Sequence, residues 1–226
     1  MMLPDREVLT TTLQQGATDL GVVLSSEQIA RLLDYLKLMV KWNSVYNLTS
    51  VRAPAQMVVQ HILDSLSVVN AFASAKNILD VGSGGGLPGV VLAIWAAEAH
   101  PAMRVAMIDT VHKKTAFLTQ VKAELDLRNV TVHTARVEQL QQADKFDVIT
   151  SRAFAELADF IKWSQHLLTE DGYFIAMKGI YPSAEIERLP AGWRVIKTEK
   201  LHVPQLQAER HLIYIQKETV TEYQQS

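Results

Sequence analysis

The stretch Ile78-Leu79-Asp80-Val81-Gly82-Ser83-Gly84-Gly85-Gly86-Leu87-Pro88-Gly89 decides the fold class. Its opening is a short apolar run closed by an acid, the pattern of a buried strand. Glycines at 82, 84, 85 and 86 then remove side chains from the turn, so that backbone can approach a ligand closely. Pro88 suits the first turn of a helix, and the free N–H groups at a helix start point at an anion. The expected ligand is nucleotide-like.

A G-x-G-x-x-G match runs from Gly84 through Gly86 to Gly89. In a dinucleotide fingerprint, however, the first glycine directly follows the strand. That glycine is Gly82, and counting from it puts Leu87 in the third glycine position. The dinucleotide reading fits poorly. Residues 80–86 instead match D-x-G-x-G-x-G, the loop that holds S-adenosylmethionine, at every specified position. Asp80, Gly82 and Gly84 are therefore cofactor-site candidates.

Downstream, short apolar runs alternate with helix-length segments. The runs are Ile78 to Val81, Val105 to Ile108, Val130 to Val132, Phe146 to Ile149 and Tyr173 to Met177; the helices are Pro88 to Glu98, Val111 to Leu125 and Ala155 to Leu168. That order predicts an α/β domain with a mostly parallel, doubly wound sheet. Trp193 to Ile196 and Leu212 to Ile215 are two further strand candidates, expected as an antiparallel edge. Upstream, residues 1–75 read as an N-terminal helical extension, with 76–226 as the sheet domain. Leu9, Leu13, Ala17 and Leu20 share one helix face and Gly21 suits its stop. Ser25 and Gln28 form a capping box for a second helix striped by Ile29, Leu32, Leu33, Leu36 and Val40. A third begins after Pro54, with Val58, Ile62, Ser65 and Val69 on one side.

Composition narrows the chemistry. There is no cysteine in the 226 residues, which excludes disulfides, thiolate metal sites and a cysteine nucleophile. No apolar run approaches the roughly 20 residues that cross a bilayer, and the start MMLPDREVLTTTLQQ has no apolar signal core. A cytoplasmic monomer with neither metal nor membrane partner is expected. The net charge of −2 gives no bulk electrostatic case for nucleic acid, so that case must come from local clusters.

Asp109 ends the second predicted strand, where an acid meets ribose hydroxyls; the alternative is an N-cap for the next helix, for which Thr110 competes. Arg152 and Lys178 follow adjacent strands at their carboxyl ends, where open α/β sheets bind ligands. A sulfonium cofactor is cationic, so these groups are expected to face its carboxylate or an RNA phosphate. Surface ion pairs with Asp147 or Glu156 are the bland alternative. His112, Lys113 and Lys114 open a helix, where cations oppose the macrodipole, so an RNA backbone is one explanation and a solvated cluster the other. Arg52 and Arg136 are further cations for such a face.

With these residues assembled, the chain closely resembles the ribosomal RNA small-subunit methyltransferase G family, also called glucose-inhibited division protein B. The resemblance is carried by KWNSVYNLTSVR at 41–52, HILDSL at 61–66, LDVGSGGGLPG at 79–89, SRAFA at 151–155, MKG at 177–179 and VPQLQAERHL at 203–212. It implies a Rossmann-like domain with a helical extension that uses S-adenosylmethionine to methylate N7 of one guanine in 16S ribosomal RNA, free or in the 30S subunit. It further implies cofactor contacts from Gly82, Leu87, Val137, Glu138 and Arg152. His61, with Asn43, Tyr46 and Asn47, is implied as a wall of the guanine pocket, whereas residue chemistry alone reads His61 as a satisfied, partly buried histidine. Trp42 reads as core. Where many relatives carry proline, this chain has Gly85, which should leave binding intact.

Guanine N7 carries a lone pair and no proton near neutrality, so attack on a sulfonium methyl needs alignment rather than a general base. Three rivals remain at this level: a methyltransferase acting on protein or small molecules, a non-catalytic module that binds S-adenosylmethionine or RNA, and a nicotinamide-dependent dehydrogenase.

Overall fold

A computed structural model describes residues 5–218. The outer ends of both expected units, 1–4 and 219–226, lie outside the described residues. Seven strands form one sheet in the order β3-β2-β1-β4-β5-β7-β6. They are β1 Asn77–Val81, β2 Arg104–Asp109, β3 Val130–Thr134, β4 Phe146–Arg152, β5 Leu168–Lys178, β6 Trp193–Leu201 and β7 Arg210–Lys217. β1 to β5 run parallel, and β7 is antiparallel to both β5 and β6. The expected antiparallel edge forms from β6 and β7. β7 is inserted between β5 and β6, leaving β6 as the rim, and its run His211 to Ile215 is buried as an inner strand requires.

Alternate residues on each central strand feed two apolar clusters. Ile78, Val105, Met107, Val148, Ile175, Leu212 and Tyr214 join one, and Leu79, Ala106, Ile108, Ile149, Phe174, Ile213 and Ile215 join the other. Both faces are covered, which is why these strands read as nearly continuous apolar runs. The first cluster holds the helices Gly89–Ala99 and His112–Glu124 together with the N-terminal helices α1, Arg6–Asp19, and α2, Ser26–Tyr46. The second is closed by the helix Leu157–Ser164 and the turn at Val137. The helical extension therefore shares its core with one sheet face. No helix among the described residues is long and apolar enough to cross a membrane.

Three local differences from the sequence reading have physical causes. The helix expected from Ala155 to Leu168 is only Leu157–Ser164, because Leu168 pairs with Phe146 and is drawn into β5. Pro88 follows a cis peptide bond and lies before the helix Gly89–Ala99, not inside its first turn. The third helical stretch changes winding: Pro54–Met57 is α, Val58–Leu63 is π-helical and Asp64–Leu66 is α again. Such wide turns cluster at functional sites, and this one carries His61 and delivers Asp64 toward the sheet.

The capping box forms as read. Ser25 Oγ accepts from Gln28 N at 3.1 Å, and Gln28 Oε1 accepts from Ser25 N at 2.9 Å. The Gln28 amide also donates to Trp95 O at 2.9 Å, tying α2 to the helix behind the glycine loop. Gln28→Ala leaves buried polar groups unpaired and should destabilise the protein by about 1–3 kcal/mol in urea unfolding. A loss below about 0.5 kcal/mol would mean that water replaces these bonds.

Candidate functional site

The order of the strands reverses between β1 and its neighbours β2 and β4, and a ligand crevice is expected at their carboxyl ends. Two adjoining cavities lie there. One, of about 420 Å³, is lined by Leu48, Thr49, Asp64, Arg152, Lys178 and Arg210 over the glycine loop. The other, of about 360 Å³, is lined by Asp109, Lys114, Arg136, Val137, Glu138 and Phe154. Gly82 and Ala153 border both.

The glycine loop is suspended from its neighbours by backbone bonds. Gly82 N and Ser83 N both donate to Ile108 O, and Gly84 N donates to Asp109 Oδ2 at 3.0 Å. Tyr35, fully buried on α2, donates its hydroxyl to Gly85 O. Gly82 has φ +67°, and a Cβ there would lie 2.3 Å from the Phe154 ring. The side chain is thus excluded by the wall between the cavities, not only by the approach of a ligand to backbone. Gly85 has no positive φ, so the backbone at that position makes no demand for glycine.

Asp80 does not line either cavity. It is completely buried and accepts from Gly89 N at 2.9 Å, so the anion at this helix start is the protein's own carboxylate. The expected ligand anion at that helix start is displaced by a side chain that sequence reading had placed at the cofactor. Its Oδ1 has no partner among the described residues. Burial pushes the Asp80 carboxyl up from its ordinary 3.8 to about 7, against the opposing pull of the Gly89 N–H and the Arg152 charge. Asp109 does line the second cavity. Its carboxylate takes Val111 N and Gly84 N and stands 3.6 Å from Lys114 Nζ. It makes an Asx turn and caps neither of the first helical N–H groups, since the helix begins at His112 with no side-chain cap.

The first cavity is organised by a residue that the sequence reading singled out only as part of the family stretch HILDSL at 61–66. Asp64, 1% exposed, accepts from Arg152 at 3.0 Å on one oxygen and from Arg210 Nε at 2.6 Å on the other. Two guanidiniums on one carboxylate leave a net positive charge facing the cavity, the donor set for a carboxylate or phosphate. Arg210 had no signal of its own beyond the family stretch around it. Lys178 is engaged by Ala155 O at 2.9 Å and Glu185 at 2.7 Å, so part of its donor capacity serves the protein. The bland partners considered for these cations, Asp147 and Glu156, bind Lys76 N with Asn77 N and Arg188 instead.

The stretch 43–52 forms a pinned wall. Buried Asn43 donates to Val51 O and accepts from Thr49 N, both at 2.9 Å, and Arg52 donates to Asn43 O at 2.8 Å and to the Asn47 side chain. Arg52 thereby satisfies an orphan carbonyl at the end of α2. His61 stands behind Thr49, with Nε2 2.8 Å from Thr49 Oγ1, and lines neither cavity. Burial and then the Arg152 charge push its pKa down to about 4, so the ring is neutral in neutral solution. Tyr46 and Asn47 also lie outside both cavities. Trp42 packs against the core and donates to Gln120 at 2.9 Å. The cationic trio divides: Lys114 faces Asp109, Lys113 lies over the Tyr46 ring at 5.4 Å, and His112 is exposed.

The family model described as rRNA small subunit methyltransferase G matches residues 28–213. This chain belongs to that family. A ribosomal RNA small subunit methyltransferase G of Janthinobacterium sp. (strain Marseille) is 67% identical over 94% of this chain and 97% of its own length. One from Burkholderia pseudomallei (strain 1106a) is 55% identical over 95% and 94%. Among solved structures, the O-methyltransferase from Bacillus cereus in complex with SAH is similar in fold, with a TM-score of 0.57, 17% identity, and 93% and 99% of the two chains covered. Membership of the small subunit methyltransferase G family agrees with the helical extension plus doubly wound sheet described above.

Asp80 offers a pH test. A carboxyl raised on folding contributes stability that is fully present below about pH 4 and lost as pH rises through about 7. Asp80→Asn keeps an acceptor for Gly89 N and cannot ionise. Between pH 4 and 8 its stability relative to wild type should improve by roughly 2–4 kcal/mol in chemical denaturation. Parallel stability profiles for the two proteins would show that Asp80 is ionised at no cost. His61 works in the opposite sense: its contribution is present above about pH 6.5 and lost as pH falls toward 4.

Proposed function

We propose that this protein is an S-adenosylmethionine-dependent methyltransferase that methylates N7 of a guanine in small-subunit ribosomal RNA. In this reading it acts as a cytoplasmic monomer on 16S ribosomal RNA or the 30S subunit. The observation that supports it most is the pair of cavities meeting at Gly82, one walled by Asp109, Val137 and Glu138 and the other by Arg152 and Arg210, in a chain of this family.

The residues present fit the cofactor. Asp109 retains lone pairs toward the second cavity for ribose hydroxyls, and the Arg152 guanidinium in the first suits a carboxylate. When bound, S-adenosylmethionine supplies a methyl group on a positively charged sulfur. The chain's own work is to bind, orient and exclude water. Among the residues lining the first cavity, Asp64 is occupied by two arginines and Lys178 by Glu185. Neither is placed to remove a proton, and His61, neutral and behind Thr49, is not either. That suits a nucleophile with no proton to lose. Orientation of such a nucleophile contributes roughly 7–11 kcal/mol. Leu48 and Thr49, held by Asn43, close the cavity from the helical side, and residues 1–75 act here as the lid wall of the sheet domain.

Labelled methyl transfer to ribosomal RNA, followed by nucleoside analysis, tests the reading: label is expected in 7-methylguanosine, and label in protein or another nucleoside would overturn it. Single-turnover rates with wild type and His61→Gln should follow parallel pH profiles from about pH 6 to 9. A step near neutrality that disappears with the imidazole would instead make His61 a base. Arg152→Lys keeps the charge but loses the planar fork, and kcat/KM should fall at least about tenfold.

A further inference from the structure

Beside the cationic cavity lies a groove of about 640 Å³ lined by Ala55, Gln56, Val59, Gln60, Gln205, Leu206, Gln207, Ala208 and Arg210. Four glutamine side chains thus converge from two segments far apart in sequence, the start of the third helical stretch and the loop before β7. None of the four amides hydrogen-bonds to a protein group among the described residues, so their donors and acceptors face the groove and solvent. No acidic side chain lines the groove, and the adjacent Glu209 is turned away to Lys200 at 2.9 Å. Gln205 is held at φ +64°, in the left-handed region that non-glycine residues seldom adopt. Arg210 borders both this groove and the first cavity. Its Nε is spent on Asp64 and one terminal nitrogen on Glu209 O, which leaves the other without a protein partner among the described residues.

We infer that this groove is a second nucleotide subsite, holding the ribonucleotide next in the strand to the one in the first cavity. Primary amides both donate and accept, so they match base edges and ribose 2′-hydroxyls without selecting for charge. An RNA strand is continuous, and the phosphodiester joining the two nucleotides passes Arg210, the side chain common to both cavities. The volume lies within the roughly 300–1,000 Å³ of small-ligand sites. The inference rests on the RNA-methylating function proposed above.

The test uses the full-length protein and the double variant Gln56→Ala/Gln207→Ala, with small-subunit ribosomal RNA, protein-free or in the subunit, as the methyl acceptor. S-adenosylmethionine affinity, measured by equilibrium titration, should be unchanged, and KM for the RNA should rise roughly tenfold with kcat nearly constant. Acceptor RNA carrying a single abasic residue beside the target guanine should then lower wild-type kcat/KM and leave the double variant little further affected. If wild type methylates RNA and the double variant has the same KM, or if the abasic and protein changes add fully at both flanking positions, the subsite does not exist. If the variant loses activity on the subunit but not on protein-free RNA, the groove takes a protein and the nucleotide assignment is wrong. If wild type transfers no methyl to RNA, the proposed function itself fails.

Discussion

The site depends on one carboxylate. Asp64 belongs to the helical extension, Arg152 to the end of β4 and Arg210 to the start of β7, and the three meet in one ion cluster in which the carboxylate is buried and the two guanidiniums are partly exposed. Without it, two like charges would line the same cavity with no counter-charge between them, and neither fork would be held in direction. With it, both forks are fixed in direction and the cluster keeps one excess positive charge for a ligand. The π-helical turn Val58–Leu63 precedes Asp64 directly, and its wider winding sets where that carboxylate emerges.

A second set of constraints shapes the glycine loop. Ile108 O, Asp109 and Tyr35 hold it from three sides, and Asp80 fills the helix start behind it. Each contact comes from backbone or from a buried side chain. The loop is thereby preformed, so binding a ligand there does not first have to order the chain. The wall between the cavities is Phe154 above Gly82, and Lys178 with Glu185 holds the segment that follows, through Ala155 O and Leu157 N.

Much of this was legible in the sequence because it follows local rules. The strand, glycine turn and helix around Asp80 announced the crevice, the Ser25–Gln28 box marked α2, and period-free apolar runs marked strands covered on both faces. Arg152, Lys178 and Asp109 were placed at the carboxyl ends of strands and Val137 and Glu138 were implied by the resemblance, and all five line one of the two cavities. What was not legible depends on long-range pairing. Asp80 looks like a ligand residue until Gly89 is seen to use its oxygen. Asp64 and Arg210 are 146 positions apart, and no spacing rule links them. The insertion of β7 between β5 and β6 is likewise a property of sheet order, to which residue patterns are blind. Asn47 and His61, which family resemblance implies as pocket residues, line neither cavity: Asn47 holds Arg52, and His61 holds Thr49 behind the wall of the first.

If Asp64 organises the cavity, the most direct measurement is single-turnover methyl transfer to small-subunit ribosomal RNA by Asp64→Asn, with the fold followed by circular dichroism. Asparagine keeps the shape and one acceptor oxygen but not the charge that holds two arginines. The variant should be a folded protein whose transfer rate falls by about 100-fold or more, as expected when two charge-assisted positioning bonds are lost. A folded variant that transfers methyl at the wild-type rate would contradict that role of Asp64.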